Sequence, residues 1–399
     1  MTRLLAILAA LFVAIGVGAN SADRQETLRN LRKLAEKGSV EAQTKLGSIY
    51  FYGHLGQKTD YPLAVHWFKK AAEQGGSTAQ LNLGICYERG LGVERDYATA
   101  LTYYKPAADQ GLLPAVINVG FAFQKAGDLK AAAKYFKIGA ELGDRHCQRE
   151  FGKLLLTDTL GTPDPVLAKR YLEEAVATGD PMAGLALADL YSGKYPEIQA
   201  DAAKMFNLLL KAAESDNPEA LSKVGYCYEE GLGVQRSTDQ AVAWYKRAAE
   251  RGYPAAMINL ADCYRDGRGT PQNHSLAYEW YRVAASEGHV MGTFNLGVCY
   301  AVGVGVEVDL AKARAHFQKA AEADLPLAQF NYGIYLQEGR GGDKDSVAAA
   351  HWFKRAADAG YGKAMTALAD CYEYGVGVPR NLDTAALWRR KATAAKFKE

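Results

Sequence analysis

One unit of 36 residues recurs along the 399-residue chain. A small residue marks the same position in each of ten copies, at Gly47, Gly84, Gly120, Gly152, Ala188, Gly225, Ala261, Gly297, Gly333 and Ala369. The gaps between them are 37, 36, 32, 36, 37, 36, 36, 36 and 36 residues. Gaps this regular indicate a stacked array in which each unit packs on its neighbours, rather than two or three independent domains.

Each unit contains two segments of helical periodicity joined by a turn. We number positions from the aligned small residue, which is position 0. In the sixth unit the first segment places Ala220, Val224 and Tyr228 on one stripe with Gly225. The second segment repeats apolar residues at the i, i+3, i+4, i+7, i+8 spacing of an amphipathic helix, at Ala241, Trp244, Tyr245, Ala248 and Ala249. The pattern predicts an all-α chain in which large aromatic residues pack against alanines.

The turn between the two helices reads GLGV at Gly231 to Val234. The first glycine is suited to the left-handed conformation that ends a helix, and the second permits a further tight bend. Aspartates are expected to cap the next helix, at Asp96, Asp239, Asp309 and Asp383. A nucleotide loop would need a longer glycine motif after a strand, so no cofactor site is predicted here.

The unit ALxxxGYCYEEGLGVQRSTDQAVAWYKRAAERG, at Ala220 to Gly252, resembles the repeat of the SEL-one-like family, which is related to the tetratricopeptide repeat. The resemblance covers nearly the whole chain behind its first residues. It implies a right-handed superhelical solenoid of antiparallel helix pairs that acts as an adaptor or scaffold for other proteins. Some cysteine-rich relatives are described as penicillin-binding or weakly β-lactamase-like, and secreted bacterial members are implicated in cell-envelope assembly.

The regular copies are separated by a divergent segment. Repeats 1 and 2 are predicted at residues 39–111, divergent repeats 3 to 5 at 112–217, and repeats 6 to 10 with a polar C-terminal capping helix at 218–399. A lone helix at 20–38 is expected to cap the N-terminal end. The divergence indicates either a bend or special contact surface, or ordinary drift in tolerant turns.

The first 19 residues read as a signal peptide. A single positive charge precedes fourteen apolar or glycine residues, and Val17 and Ala19 occupy the positions that a signal peptidase reads. We therefore expect export, to the periplasm or the medium in a bacterium and to the ER lumen or the medium in a eukaryote, without stable membrane insertion after cleavage. An uncleaved anchor is the alternative. The 47 basic and 45 acidic residues nearly cancel, which gives no electrostatic case for nucleic acid.

No set of residues matches a catalytic or metal-binding motif. Five of the six cysteines stand at position +2 and the sixth, Cys147, at −5. They are interpreted as small buried residues without disulfides, because neighbouring helices lie farther apart than a bridge allows. The sequence contains neither HExxH nor GxSxG, and the SDN at Ser215 to Asn217 falls in an inter-repeat turn. We expect no enzyme, no metal and no cofactor.

One polar position recurs on the first helices. Asparagine stands at −2 in five copies, at Asn82, Asn118, Asn259, Asn295 and Asn331. Asparagine is a poor helix former, so its recurrence indicates hydrogen bonding. Either the amides grip the backbone of an extended peptide on the concave face, or they bond neighbouring repeats and hold the stack in register.

Acidic residues recur near the ends of the same helices, at Glu88, Glu229, Glu230, Asp266 and Glu338. They would favour a basic or mixed-charge partner, although solvated helix ends have the same appearance. The first copy places Phe51 and Tyr52 there instead, as a candidate apolar contact. The sequence thus predicts a monomeric, exported scaffold that binds a protein or extended peptide. A hydrolase of the penicillin-binding type and an envelope component that binds peptidoglycan or polysaccharide are the alternatives.

Overall fold

The computed structural model describes residues 21–396, which form two compact units of stacked helices. The first unit ends at Ala200 and the second begins at Asp201. The described residues contain 21 α-helices and no β-strand. The predicted signal peptide, residues 1–19, lies outside the described residues.

The helices alternate between the first and second type of each repeat. The first unit contains α1 (Ser21–Glu36), α2 (Val40–Tyr52), α3 (Tyr61–Glu73), α4 (Ser77–Arg89), α5 (Tyr97–Asp109), α6 (Leu113–Lys125), α7 (Leu129–Glu141), α8 (Arg145–Leu154), α9 (Pro165–Ala177) and α10 (Pro181–Leu190). The second contains α11 (Ala202–Ala213), α12 (Pro218–Glu230), α13 (Thr238–Glu250), α14 (Pro254–Asp266), α15 (His274–Ser286), α16 (Val290–Val302), α17 (Leu310–Glu322), α18 (Pro326–Glu338), α19 (Ser346–Asp358), α20 (Gly362–Tyr374) and α21 (Leu382–Lys396). Even-numbered helices are the first helices of repeats 1 to 10.

Within each of the two compact units, every helix packs against the helices before and after it in the chain. The all-α solenoid predicted from the repeat is therefore confirmed. The two helices of a repeat approach each other closely at position 0, because a Cβ added to Gly225 would stand 2.7 Å from Cδ1 of Tyr245. The same crowding by an aromatic residue of the second helix occurs at Gly47 with Phe68, Gly84 with Tyr104, Gly120 with Phe136, Gly297 with Phe317 and Gly333 with Phe353.

The two turn glycines have different roles. Gly267 ends α14 in the left-handed conformation, with φ 69°, and its amide bonds the carbonyl of Cys263. Gly269 is also left-handed, with φ 67°, but it lies against the backbone of Thr238, the first residue of α13 in the preceding repeat. The second glycine therefore joins one repeat to the next, a role that the sequence pattern alone did not reveal.

Two of the four predicted helix caps are corrected by the structure. Asp96 and Asp309 do cap α5 and α17. The cap of α13 is Ser237, whose hydroxyl accepts from the amide of Gln240, and α21 is capped by Asn381. Asp239 and Asp383 lie two residues later, inside the first turn, because the preceding polar side chain already takes the capping position.

The boundary between the units falls inside the segment predicted to diverge, 112–217. The first helices of repeats 4 and 5, α8 and α10, have 10 residues each, whereas the other first helices have 13. A single turn of 3-10 helix at Asp158–Leu160 replaces the GxGV turn after α8. The loss of that turn motif thus coincides with a change in local structure.

We expect Gly269→Ala to destabilise the protein more than Gly267→Ala. Both changes place a side chain in the left-handed region, at a cost of about 1–2 kcal/mol. At Gly267 the nearest atom to the new Cβ, Cβ of Gln272, lies 3.3 Å away, whereas at Gly269 the new Cβ overlaps the Thr238 carbonyl group. Overpacking adds about 1–3 kcal/mol. Equal shifts of the urea midpoint for the two variants would contradict the inter-repeat role of Gly269.

Candidate partner-binding face

The five asparagines at position −2 lie on first helices, two in the first unit and three in the second. Asn82 is 7% exposed, and Asn118, Asn259, Asn295 and Asn331 are half-buried. We call Asn259, Asn295 and Asn331, on α14, α16 and α18, the asparagine face of the second unit. These three side chains occupy the same position on three successive repeats.

Hydrogen bonding separates the two interpretations of these asparagines. The Nδ2 of Asn331 donates to the carbonyl of Leu327 at 2.7 Å, one turn back in the same helix. Within residues 21–396, the side chains of the other four have no hydrogen-bond partner. None of the five therefore bonds a neighbouring repeat, so the structure gives no support to a register-holding role for them.

Three glutamines at position −4 form hydrogen bonds to the preceding helix, which is the kind of contact that the register-holding interpretation expected of the asparagines. The Nε2 of Gln43 donates to the carbonyl of Ala35 at 3.0 Å, and Gln80 and Gln329 reach Ala72 and Ala321 in the same way. Each bond joins a first helix to the last turn of the preceding second helix. Glutamine at a position that holds an apolar residue in several other copies, as in Leu221 and Met257, was the available signal, and sequence reasoning missed it.

The prediction that Glu229 lies exposed at the rim is wrong. Glu229 is 9% exposed. Its Oε2 accepts from the hydroxyl of Tyr245 at 2.7 Å, and its Oε1 pairs with Arg268 of the next repeat. Burial and this carboxylate raise the pKa of Tyr245. Glu88 makes the equivalent bond with Tyr104, at 2.6 Å.

The remaining predicted acids are exposed, and two of them have basic neighbours. Asp266 pairs with Arg265 at 2.7 Å and with Arg268 at 3.4 Å, and Glu338 pairs with Arg340 at 2.5 Å. The Arg265 guanidinium lowers the pKa of Asp266. Glu230 is exposed. Because most of this negative charge is matched inside the chain, the acids give little support for a basic partner.

The aromatic pair of the first repeat is partly covered by its own neighbours. Phe51 and Tyr52 are half-buried. The ring of Phe51 lies 4.9 Å from that of Tyr52, 5.4 Å from Tyr61 and 6.2 Å from Phe68, measured between centroids. Phe51 thus packs against the core of the first unit, and a contact role for Tyr52 stays a prediction.

All six cysteines are free thiols in buried positions, which confirms that position +2 is a buried site. Burial raises the pKa of the Cys86 thiol to about 12 and those of Cys227, Cys263, Cys299 and Cys371 to about 11. The thiolate is the reactive form of cysteine. These side chains therefore have the environment of packing residues rather than that of nucleophiles.

The SDN tripeptide has a structural role in the turn before α12. The hydroxyl of Ser215 donates to the carbonyl of Ala212, and Asn217 caps α12 by accepting from the amide of Ala220. Asp216 is left-handed, with φ 56°, and pairs with Arg247 at 3.0 Å and Arg251 at 2.6 Å. Each of the three side chains thus stabilises the turn.

Within residues 21–396, no three or more His, Cys, Asp or Glu side chains are grouped so that they could hold a metal ion. No helix in that range combines the length and the apolar character needed to cross a membrane.

Glu229→Ala should destabilise the protein, whereas Glu230→Ala should not. The first change leaves the buried hydroxyl of Tyr245 without its acceptor and removes the ion pair with Arg268, at a cost of about 1–3 kcal/mol. The second removes an exposed side chain, with an effect within about 0.5 kcal/mol. Urea unfolding measures both, and an unchanged midpoint for Glu229→Ala would refute the buried contact.

The cysteines should be unreactive in the folded protein. At mildly alkaline pH a raised pKa keeps each thiol protonated, and burial blocks access, so labelling with a disulfide reagent should be at least about 100-fold slower than in urea. In urea all six should react. A single thiol that labels at its unfolded rate in the folded state would contradict the burial of that site.

Comparison with known proteins places the repeat in a family. The model of the Sel1 repeat matches residues 40–76, 77–112, 120–144, 148–180, 218–253, 254–289, 290–325, 326–361 and 362–396. The fifth copy, 181–217, is not covered by these matches. A solved Sel1 repeat protein from Oxalobacter formigenes is 27% identical and has a TM-score of 0.55, with 83% of this chain and 86% of that chain covered.

Two curated relatives match about half of this chain. The chitin synthase regulator SKT5 of Saccharomyces cerevisiae is 27% identical over 234 residues, which are 56% of this chain and 29% of the relative. The DAP3-binding cell death enhancer 1 of Mus musculus is 31% identical over 215 residues, 52% of this chain and 35% of the relative. The chain thus spans about a third of the length of these relatives. With its repeats matched along most of its length, the chain belongs to the Sel1 repeat family.

Proposed function

We propose that this chain is a non-enzymatic, exported scaffold that binds an extended peptide or a protein partner through the asparagine face. The proposal rests on the burial and the hydrogen bonding of the Asn259 and Asn295 side chains. Both amides are half-buried on their helices, and neither has a hydrogen-bond partner among the described residues. An amide side chain offers both donors and an acceptor, so it matches the N–H and C=O groups of an extended backbone.

The polar groups that hold the repeats together support the same proposal. Gln329 and Glu229 already join adjacent repeats, so the asparagines are not required for that task. Asparagine in the middle of a helix is unfavourable, and its recurrence at one position needs another cause. Binding of a ligand backbone supplies one.

The names of the relatives are consistent with a scaffold. One is described as a regulator of chitin synthase and another as a protein that binds DAP3. Both names describe action on another protein. The proposed export rests on residues 1–19 of the sequence, and a monomeric state is part of the proposal.

Replacing Asn259, Asn295 and Asn331 together with alanine should weaken partner binding. The partner is first captured from the exported proteins of the source cell on residues 20–399, identified by mass spectrometry and then titrated. Loss of three hydrogen bonds at about 0.5–1.5 kcal/mol each should raise Kd at least about tenfold. The urea midpoint should stay nearly unchanged.

Gln329→Ala provides the matched control. Its side chain lies two residues from Asn331 and bonds the carbonyl of Ala321 at 3.2 Å, so its loss should lower the urea midpoint and leave Kd nearly unchanged. If the triple variant binds as tightly as the original protein, the asparagine face is not the binding surface.

A further inference from the structure

Repeats 4 and 5 lack a backbone contact that joins repeats 2 and 6 to 10 to the copies before them. In those repeats the second turn glycine lies against the first residue of the preceding second helix, as Gly92 does against Tyr61. In repeat 4 a Cβ added to Gly161 would meet none of the described atoms within 4 Å, and in repeat 5 one added to Gly193 would meet only the side chain of Ala200. Within residues 21–396, no turn glycine therefore docks repeat 4 on repeat 3, or repeat 5 on repeat 4.

A network of charged and polar side chains crosses the same two junctions. Glu150, at position −2 of α8, accepts a hydrogen bond from Nε2 of Gln124 on α6 at 3.1 Å, which joins repeat 4 to repeat 3. Nη1 of Arg149 donates to Oδ2 of Asp180 at 2.6 Å, which joins repeat 4 to the first helix of repeat 5. Nε of Arg149 also pairs with Glu150 at 2.8 Å. These four side chains link three successive repeats, and we call them the charged joint.

The charged members of the joint are buried. The side chain of Asp180 is 1% exposed, that of Glu150 is 8% exposed and that of Arg149 is 15% exposed. The Oδ1 of Asp180 is also the cap of α10, because it accepts from two backbone amides in the first turn. A buried ion pair is stable only while both partners are charged, since removing one charge leaves the other without compensation. The joint therefore depends on ionised carboxylates.

The other side chains that face the two carboxylates are basic. Nζ of Lys153 lies 3.1 Å from Oε2 of Glu150, and Nδ1 of His146 lies 3.2 Å from Oδ2 of Asp180. Arg145 donates to two carbonyl groups in the turn that precedes Asp180. Among the described residues, α6, α7, α9 and α10 place no charged side chain in contact with either carboxylate. Two acids of the surrounding elements bond other groups instead, namely Asp144 at the start of α8 and Glu174 on α9. Protonation of the carboxylates would leave the positive charge of α8 unmatched.

The contribution of Glu150 to stability depends on pH. Burial opposes its ionisation, but the hydrogen bond and charge of Arg149, together with Lys153 and Gln124, outweigh burial and lower the pKa of Glu150. A lowered pKa means that the unfolded chain binds the proton more readily than the folded one. The carboxylate therefore stabilises the fold fully above the unfolded pKa of about 4.3, and this stabilisation is lost as the pH falls through the folded pKa.

The second unit has junctions that do not depend on a titrating group alone. Glu229 pairs with Arg268 of the next repeat, so it resembles the charged joint. At that junction, however, Gly269 also lies against the backbone of Thr238. The glycine contact contains no titrating group, so it remains when the carboxylate is protonated. Acid should therefore loosen repeats 4 and 5 before it loosens repeat 7.

We propose that the charged joint is an acid-sensitive switch: protonation of Glu150 and Asp180 loosens repeat 3, repeat 4 and the first helix of repeat 5 from one another, while the glycine-docked repeats of the second unit stay closed. The first unit would thus be closed near neutral pH and opened by acid. This inference goes beyond the proposed function, because it concerns a different part of the chain and requires no partner.

The test is hydrogen exchange of residues 20–399, measured by mass spectrometry at about pH 7 and about pH 3, on either side of the carboxylate range. Rates are corrected for the intrinsic effect of pH on exchange. Peptides from α8 and α10 should exchange at least about tenfold faster in acid, whereas peptides from α14 and α16 should change by less than about threefold. Equal acceleration in the two units, or none in α8 and α10, would overturn the proposal.

A double variant imitates the acid state at neutral pH. Glu150→Gln with Asp180→Asn keeps the shape of both side chains and removes their charge, so α8 and α10 should already exchange at least about tenfold faster at about pH 7. Glu174→Gln is the matched control. Glu174 is 45% exposed on α9 and pairs with Arg170 at 3.7 Å, so its replacement should leave exchange of α8 and α10 within about twofold. A double variant that exchanges like the original protein would contradict the switch.

A triple variant keeps the inference testable if the double variant does not fold. Adding Arg149→Met leaves the joint without a buried charge, and replacing a whole buried ion pair by uncharged side chains is often neutral or stabilising. Exchange of α8 and α10 in this variant should differ by less than about threefold between the two pH values. A full acid response in the triple variant would show that other groups carry it, and the inference would be wrong. None of these measurements uses a partner, so their failure leaves the proposed function untouched.

Discussion

The close contact between the small residue at position 0 and an aromatic ring of the second helix underlies the rest of the structure. At Gly225 and Tyr245 the two helices approach so closely that a methyl group would not fit. That contact sets the distance between the two layers of helices. Once this distance is fixed, the second turn glycine can dock on the preceding repeat, as Gly269 does on Thr238. Repeats 2, 6, 8 and 9 thus depend both on a ring contact of their own and on the backbone of the preceding repeat.

The polar side chains divide into two groups according to what they contact. Gln43, Gln80 and Gln329 bond the preceding helix, and Glu229 joins Tyr245 to Arg268. These side chains hold neighbouring repeats together. The amides of Asn259 and Asn295 make no such bond among the described residues. Because glutamine, glutamate and aromatic contacts hold the stack, Asn259 and Asn295 are not needed for it, which is the basis of the proposed binding role.

Variation between copies is unequal along the repeat. Position 0, the turn glycines and the alanines of the second helix change little between repeats 6 and 10. Position −2 holds Lys223 in repeat 6 and asparagine in repeats 7 to 9, and position +1 changes from Asp262 in repeat 7 to Val298 in repeat 8. Under the proposed function, a constant frame with variable positions on the first helices would let each repeat contribute a different contact to one ligand.

The sequence by itself determined the repeat length, the two helices of each unit, the turn glycines and the burial of the cysteines. These features depend on periodicity and on backbone conformation within about 36 residues, and comparison of the copies along the chain is enough to reveal them. The contacts of Glu229 depended on the tertiary structure. Its partners, Tyr245 and Arg268, lie 16 and 39 residues away, and one of them belongs to the next repeat. Stacking of the repeats likewise decided the different hydrogen-bond partners of Gln329 and Asn331, which lie two residues apart. Their positions on the helix turn one amide toward the preceding repeat and leave the other at the surface of its own.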